Sequence, residues 1–214
     1  MKPNYTHIRI LIDRSGSMQS LQNEVVSGIE GYIAEQTKEA GDLTVDVIQF
    51  DNSYSQDESG YEVLANFVNP KISPVKLSNY LPRGMTALHD AWGRAIDELG
   101  ESLSKMKEED RPERILFVTM TDGMENASRV FSKEKIKEKT DHQTANYNWK
   151  FVYLGANQDA VKVGANLGTA VGNNLTFDAS AKGLAAGFAN LSAGTLYTRS
   201  VNLSEYKTAE VFNK

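Results

Sequence analysis

Five side chains in this sequence carry oxygen donors at spacings that could bring them together. Asp13, Ser15 and Ser17 alternate with Arg14 and Gly16 in a turn after an apolar run; Thr86 follows Arg83-Gly84-Met85; Asp122 lies in Thr121-Asp122-Gly123 after a second apolar run. None of the five offers nitrogen or sulfur. That is the donor preference of a hard cation, Mg²⁺ first and Mn²⁺ or Ca²⁺ besides, over zinc or copper. Two carboxylates and three neutral hydroxyls roughly neutralise a dication yet leave it few strong donors. A coordination position left open would be an electrophilic spot for an incoming carboxylate, which is the chemistry of binding.

Such a set needs elements that aim it at one place. Residues 8–12 are rich in β-branched side chains and stop at Asp13, as a short buried strand does. Leu21, Val25, Ile29 and Ile33 then recur at fourfold spacing, an amphipathic helix reaching about Lys38. Residues 43–50 read as a second strand, 51–60 as a polar turn, and 61–68 as a strand returning antiparallel through a hairpin. A helix opening near Thr86 buries Leu88, Ala91, Trp92, Ala95, Ile96 and Leu99; residues 115–120 form the next strand. Residues 133–139 read as a solvated helix, 149–154 as a strand, GANQDAVKVGANLG as the start of a helix, 175–177 as a last edge strand, and 179–196 as a final helix. Strands alternating with helices predict an α/β fold: a Rossmann-like, doubly wound, mostly parallel sheet with one antiparallel edge strand and helices on both faces. In such sheets ligands bind beyond the carboxyl ends of the strands, where Asp13 and Asp122 would both emerge.

At 214 residues the chain fits one domain able to bury a substantial core. The absence of cysteine excludes disulfides and thiolate zinc sites. With 23 basic and 28 acidic residues, net −5, no basic face is expected and nucleic acid is not a predicted partner. No stretch approaches the ~20 apolar residues of a membrane span, and the first residues lack the pattern of a secretory signal. The expectation is a cytoplasmic protein without membrane association.

Asp13-Arg14-Ser15-Gly16-Ser17-Met18 resembles the Asp-x-Ser-x-Ser motif of the metal-ion-dependent adhesion site (MIDAS) in von Willebrand factor A (VWA) domains. Thr86 in RGMTAL and Asp122 in TMTDGMEN are similar to that family's later threonine and Thr-Asp-Gly elements, in the same order. The resemblance covers residues 5–197, leaving 198–214 as a polar C-terminal tail, and is strongest to stand-alone bacterial or phage VWA proteins. It implies that Ser15, Ser17 and Thr86 are direct ligands and that Asp13 and Asp122 act directly or through waters. It also implies a protein partner that supplies a carboxylate, with the domain serving as an adaptor in a larger complex.

Blander readings stand beside these. Asp13, Ser15 and Ser17 are also favoured helix caps, and Asp122-Gly123 alone is a common turn. Asp51 reads as the start of a turn that could also stand behind the metal ligands, and Arg83 as a loop residue that could frame a ligand carboxylate; Glu125 and Asn126 read as a solvated loop that could meet a partner. His7, His89 and His142 have no ligand spacing, although His89 is near Thr86; Trp92 reads as core; Gly164, Gly168 and Gly172 suggest close packing or turns. One alternative function is a Mg²⁺-dependent phosphoryl-transfer hydrolase with Asp13 as nucleophile. It lacks a second carboxylate two residues on, where Ser15 stands. A structural assembly component is the other alternative.

Overall fold

The computed structural model describes residues 1–52, 60–157 and 159–212. Most of the polar turn expected at 51–60 and Gln158 before the fourth helix therefore lie outside the described residues. The chain runs β1 (Lys2–Asp13), a 3-10 turn (Gly16–Leu21), α1 (Gln22–Gln36), β2 (Asp42–Phe50), β3 (Tyr61–Val68) and α2 (Leu88–Lys105). It continues through β4 (Pro112–Thr121), α3 (Lys133–Tyr147), β5 (Lys150–Ala156), α4 (Ala160–Asn166), β6 (Asn174–Phe177), α5 (Ala181–Ser200) and α6 (Leu203–Thr208). The six strands lie in the order β3-β2-β1-β4-β5-β6, all parallel except the antiparallel edge strand β3. Among the described residues no helix is long and apolar enough to cross a membrane.

The strand order explains where a ligand would go. From β1 the chain moves outward to β2 and β3, then crosses back to lay β4 on the other side of β1. The direction of winding therefore reverses between β1 and β4, and the helices that follow them pack on opposite faces, which opens a crevice beyond their carboxyl ends. β1 ends at Asp13 and β4 at Thr121. Alternation along β1 serves both layers. Ile8, Ile10 and Ile12 join Val25, Ile29 and Ile33 of α1 with Leu184, Phe188 and Leu191 of α5 in one core. Leu11 joins Leu88, Trp92, Ile96 and Leu99 of α2 and Ile136 of α3 in the other. Trp92 is fully buried, its ring 5.5 Å from Phe117 and 6.1 Å from Phe151.

Several elements differ from the sequence expectation in extent. β1 starts at Lys2, because the Lys2 amide pairs with the carbonyl of Arg111 and Tyr5 aligns with Asp42, backbone pairings that leave no trace in hydropathy. α3 extends to Tyr147 although only Ile136 and Thr140 on it are buried; it ends where Asn148 takes a left-handed conformation, φ 56°. Gly164 makes the close packing expected of it: a methyl there would lie 1.9 Å from Asn174 Oδ1.

The segment after α5, polar in composition, folds back as part of the domain. Tyr206 on α6 is fully buried and donates its hydroxyl to the Ile115 carbonyl (2.8 Å), and Phe212 is 1% exposed in the α1/α5 core. Lys150 Nζ to the Ala209 carbonyl (2.6 Å) and the Phe212 amide to the Gly172 carbonyl (3.0 Å) hold it beside these two aromatics. A buried polar group supports the other edge. Asp46 on β2 accepts from Arg9 Nε (2.8 Å), contacts His7 Nε2 (3.1 Å), and takes the Phe67 amide (2.5 Å). Phe67 has φ 48°, which is rare for a bulky residue, and the register of β2 against β3 shifts alongside it.

Candidate metal centre

The crevice gathers the five oxygen-bearing residues. Asp13, fully buried at the end of β1, accepts the Ser15 amide at Oδ1 (2.7 Å) and the Thr121 hydroxyl at Oδ2 (2.5 Å). Ser15 Oγ lies 3.1 Å from Ser17 Oγ, and Ser17 Oγ donates to Asp122 Oδ1 at 2.6 Å. Thr86 makes no side-chain bond to the other four, yet it faces the same point. A methyl group at Gly123 would lie 2.8 Å from Thr86 Oγ1, 3.7 Å from Ser17 Oγ and 3.8 Å from Asp13 Oδ2. Two loops, one carrying Asp13 and Ser17 and the other Thr86, therefore close with Gly123 of a third around one small space that a side chain would fill. Asp13, Ser15 and Thr86 are buried, Asp122 is half-buried and Ser17 is exposed, so the cradle opens to solvent on the Ser17 side.

Elsewhere among the described residues no three His, Cys, Asp or Glu side chains gather as a metal cage, and this centre holds only two carboxylates. Both carry the signature of an uncompensated anion. Burial pushes the Asp13 carboxyl up to about 6, and the Asp122 charge adds to the rise, against the bonds from Thr121 and Ser15. Burial also raises Asp122, opposed by the Ser17 hydroxyl. Two crowded carboxylates with three hydroxyl oxygens fit a hard divalent cation: the donor chemistry agrees, and the space beside Gly123 is where the donors converge.

Residues around the five hold this geometry, and of these Thr121 and Tyr80 are not anticipated from sequence. Thr121 orients Asp13 from the neighbouring strand, and Tyr80 donates its hydroxyl to the Asp13 carbonyl at 2.7 Å. The Thr86 loop is docked by Gly16 N to Gly84 O (3.0 Å) and Arg83 N to Arg14 O (2.6 Å). Asn126 clamps Thr86 twice: its Oδ1 accepts the Thr86 amide (3.0 Å) and its own amide donates to the Thr86 carbonyl (3.1 Å). Asp51 does not stand free. Its Oδ2 bridges Arg14 (2.9 Å) and Arg83 (2.7 Å), tying the first loop to the Thr86 loop. Glu125 organises its own loop by accepting the amides of Ala127, Ser128 and His89. His89 gives that loop a backbone amide, and its ring lies 3.9 Å from Glu125 Oε2.

No protein-family model and no curated protein matches the sequence. Solved structures do. The SpRpn10 VWA domain superposes with a TM-score of 0.61 at 13% identity, covering 87% of this chain and 94% of that one. The fold is that of a VWA domain. The same architecture aligns with proximal thread matrix protein 1 from the mussel byssus with a zinc-occupied MIDAS motif (TM-score 0.63, 16% identity, 86% of this chain). It also aligns with the pilus adhesin SpaC from Lactobacillus rhamnosus GG (TM-score 0.63, 15% identity, 92% of this chain). This VWA fold spans 46% of the mussel chain and 30% of the adhesin, so in both it is one part of a longer protein.

Proposed function

We propose that this VWA fold is a protein-interaction module whose partner binding depends on a divalent cation held by Asp13, Ser15, Ser17, Thr86 and Asp122. The observation that carries this reading is the convergence of Thr86, Ser17 and Asp13 oxygens on the space beside Gly123. Ser15, Ser17 and Thr86 would act as neutral donors, and the two carboxylates would supply the compensating charge. When bound, the cation supplies an electrophilic centre with an exchangeable position for a partner's Asp or Glu. Thr121, Tyr80 and Asn126 keep the donors in place. The zinc-occupied MIDAS of the mussel protein makes Zn²⁺ a fourth cation to test beside Mg²⁺, Mn²⁺ and Ca²⁺.

The hydrolase alternative asks for a second carboxylate two residues after Asp13 to act as general acid, and Ser15 stands at that position. The module is therefore read as non-enzymatic, an adaptor whose work is to hold another protein. Thermal melting against each cation tests the metal. A cation that binds only the folded chain stabilises it by about 2.7 kcal/mol at a hundredfold excess over Kd. The rise should vanish in Asp13→Asn and Thr86→Val. A melting temperature unmoved by all four cations at millimolar concentration would end the proposal; capture of a partner that resists EDTA would end its metal dependence.

A further inference from the structure

We infer that a second cavity, at the end of the sheet away from the metal crevice, binds a small organic anion, a phosphate or carboxylate, through the ammonium group of Lys150. This site stands apart from the metal-dependent reading. Lys150 is the first residue of β5, which runs parallel to β4. It therefore lies at the amino ends of the strands, whereas Asp13 and Asp122 lie at the carboxyl ends. A cavity of about 340 Å³ opens there between Thr144 and Asn148 at the end of α3, the turn after α4 and the segment from Lys207 to Glu210. Small-molecule sites start at roughly this size.

The charges around this cavity are not matched. Its lining carries two lysines, Lys150 and Lys207, and one acid, Glu210. Lys150 is only 6% exposed. Its Nζ donates to the Ala209 carbonyl at 2.6 Å and stands 5.0 Å from the centre of the Tyr206 ring. Among the described residues no carboxylate pairs with it, and an ammonium has three protons to give. Buried charges are ordinarily paired. Burial pushes the Lys150 amine down to about 8, with the Glu210 charge opposing, as befits a cation short of counter-charge. Glu210 itself accepts the Gly172 amide at 2.9 Å. Lys207 is exposed at the rim and, among the described residues, also pairs with no carboxylate. Two further polar groups in the lining are unengaged. The half-buried Asn148 makes no side-chain hydrogen bond among the described residues, and Asn173, 3% exposed, has an Oδ1 without a partner. Trp149 and Phe151 add apolar wall. Anionic oxygens would give Lys150 the charge-assisted bonds that the chain does not supply, and a positive lining selects that sign.

Titration of the ¹⁵N-labelled protein in EDTA with inorganic phosphate, succinate and ribose 5-phosphate, against ribose as the neutral control, tests this by nuclear magnetic resonance. The Trp149 indole and the Asn148 and Asn173 side-chain amides report on the cavity. At least one anion is expected to move these signals together to saturation, and ribose to leave them in place. Phosphate alone would show a free oxyanion to be enough; succinate or ribose 5-phosphate alone would show which anionic group the organic ligand carries. Lys150→Met should cost about tenfold in affinity, the worth of a hydrogen bond to a charged group. That variant should melt within a few degrees of wild type, since it loses one bond together with an unpaired buried charge. Should it fail to fold, Lys207→Gln on the exposed rim should still weaken binding several-fold. No response to any of the three anions, an equal response to ribose, or affinity indifferent to both substitutions would overturn the site. A wild type blind to the anions beside a Lys150→Met protein that melts far lower would leave Lys150 as a strut for Ala209 alone.

Discussion

Gly123 is the residue on which the candidate site turns, because its missing side chain is the room in which three donors meet. Gly123→Ala would put a methyl 2.8 Å from Thr86 Oγ1, inside normal contact distance, while touching no apolar core. The expected outcome is a melting temperature within a few degrees of wild type and a metal-induced shift that is lost, read by differential scanning fluorimetry with and without Mn²⁺. Asn126→Ala attacks the same geometry from behind. It removes the acceptor of the Thr86 amide, worth about 1 kcal/mol if the freed group finds water, and should weaken cation affinity several-fold in a calorimetric titration. The five donors were readable in the sequence as oxygen-bearing residues following apolar runs or opening a helix. Thr121 and Tyr80 were not, since they act through hydrogen bonds to a residue 108 and 67 positions away, and Asn126, readable as a loop residue, was not readable as the clamp on Thr86. Arg14 and Asp51 left a fainter trace: opposite charges at the ends of strands that pair Asp13 with Phe50.

At the scale of elements, the edge strand β3 depends on the buried group at Asp46. Burial alone would raise this carboxyl, yet the facing His7 and Arg9 and the Phe67 amide outweigh it and hold it at about 2, below an ordinary 3.8. A carboxyl with a depressed pKa in the folded chain contributes stability that is complete at neutral pH and is lost as pH falls through roughly 4 to 2. Asp46→Asn should therefore destabilise the protein by about 3 kcal/mol at pH 7, having left Arg9 buried without its counter-charge. The same variant should flatten the loss of stability between pH 4 and 2 in urea titrations followed by circular dichroism. An acid limb as steep as wild type's would remove Asp46 from this role. The alternation of strands and helices was legible from periodicity, but the start of β1 and the end of α3 were not, because backbone pairing and a left-handed cap set them.

For the whole molecule, the last described residues are structural. Tyr206 and Phe212 lie in the core shared by α1 and α5, and Phe212 packs so tightly on α5 that a methyl at Gly194 would lie 2.4 Å from its ring. Tyr206→Ala and Phe212→Ala are each expected to cost about 3–5 kcal/mol, measured by chemical denaturation, and to leave the metal-induced melting shift in place because the crevice lies at the carboxyl ends of β1 and β4. Loss of that shift in a folded Phe212→Ala protein would instead link the two regions.

Local chemistry and periodicity determined the fold class, the candidate oxygen donors and the exclusion of thiolate and disulfide sites, because side-chain type and spacing are properties of the chain itself. Only the tertiary structure decided that the donors meet, through a strand order that puts β1 beside β4 and a glycine where their loops converge. It alone turned Asp51 and Asn126 into supports and drew a polar-looking segment into the core. The physical reason is common to all of these: each is a contact between residues distant along the chain, and composition carries no record of which distant residues the packing of two helical layers on one sheet will bring together.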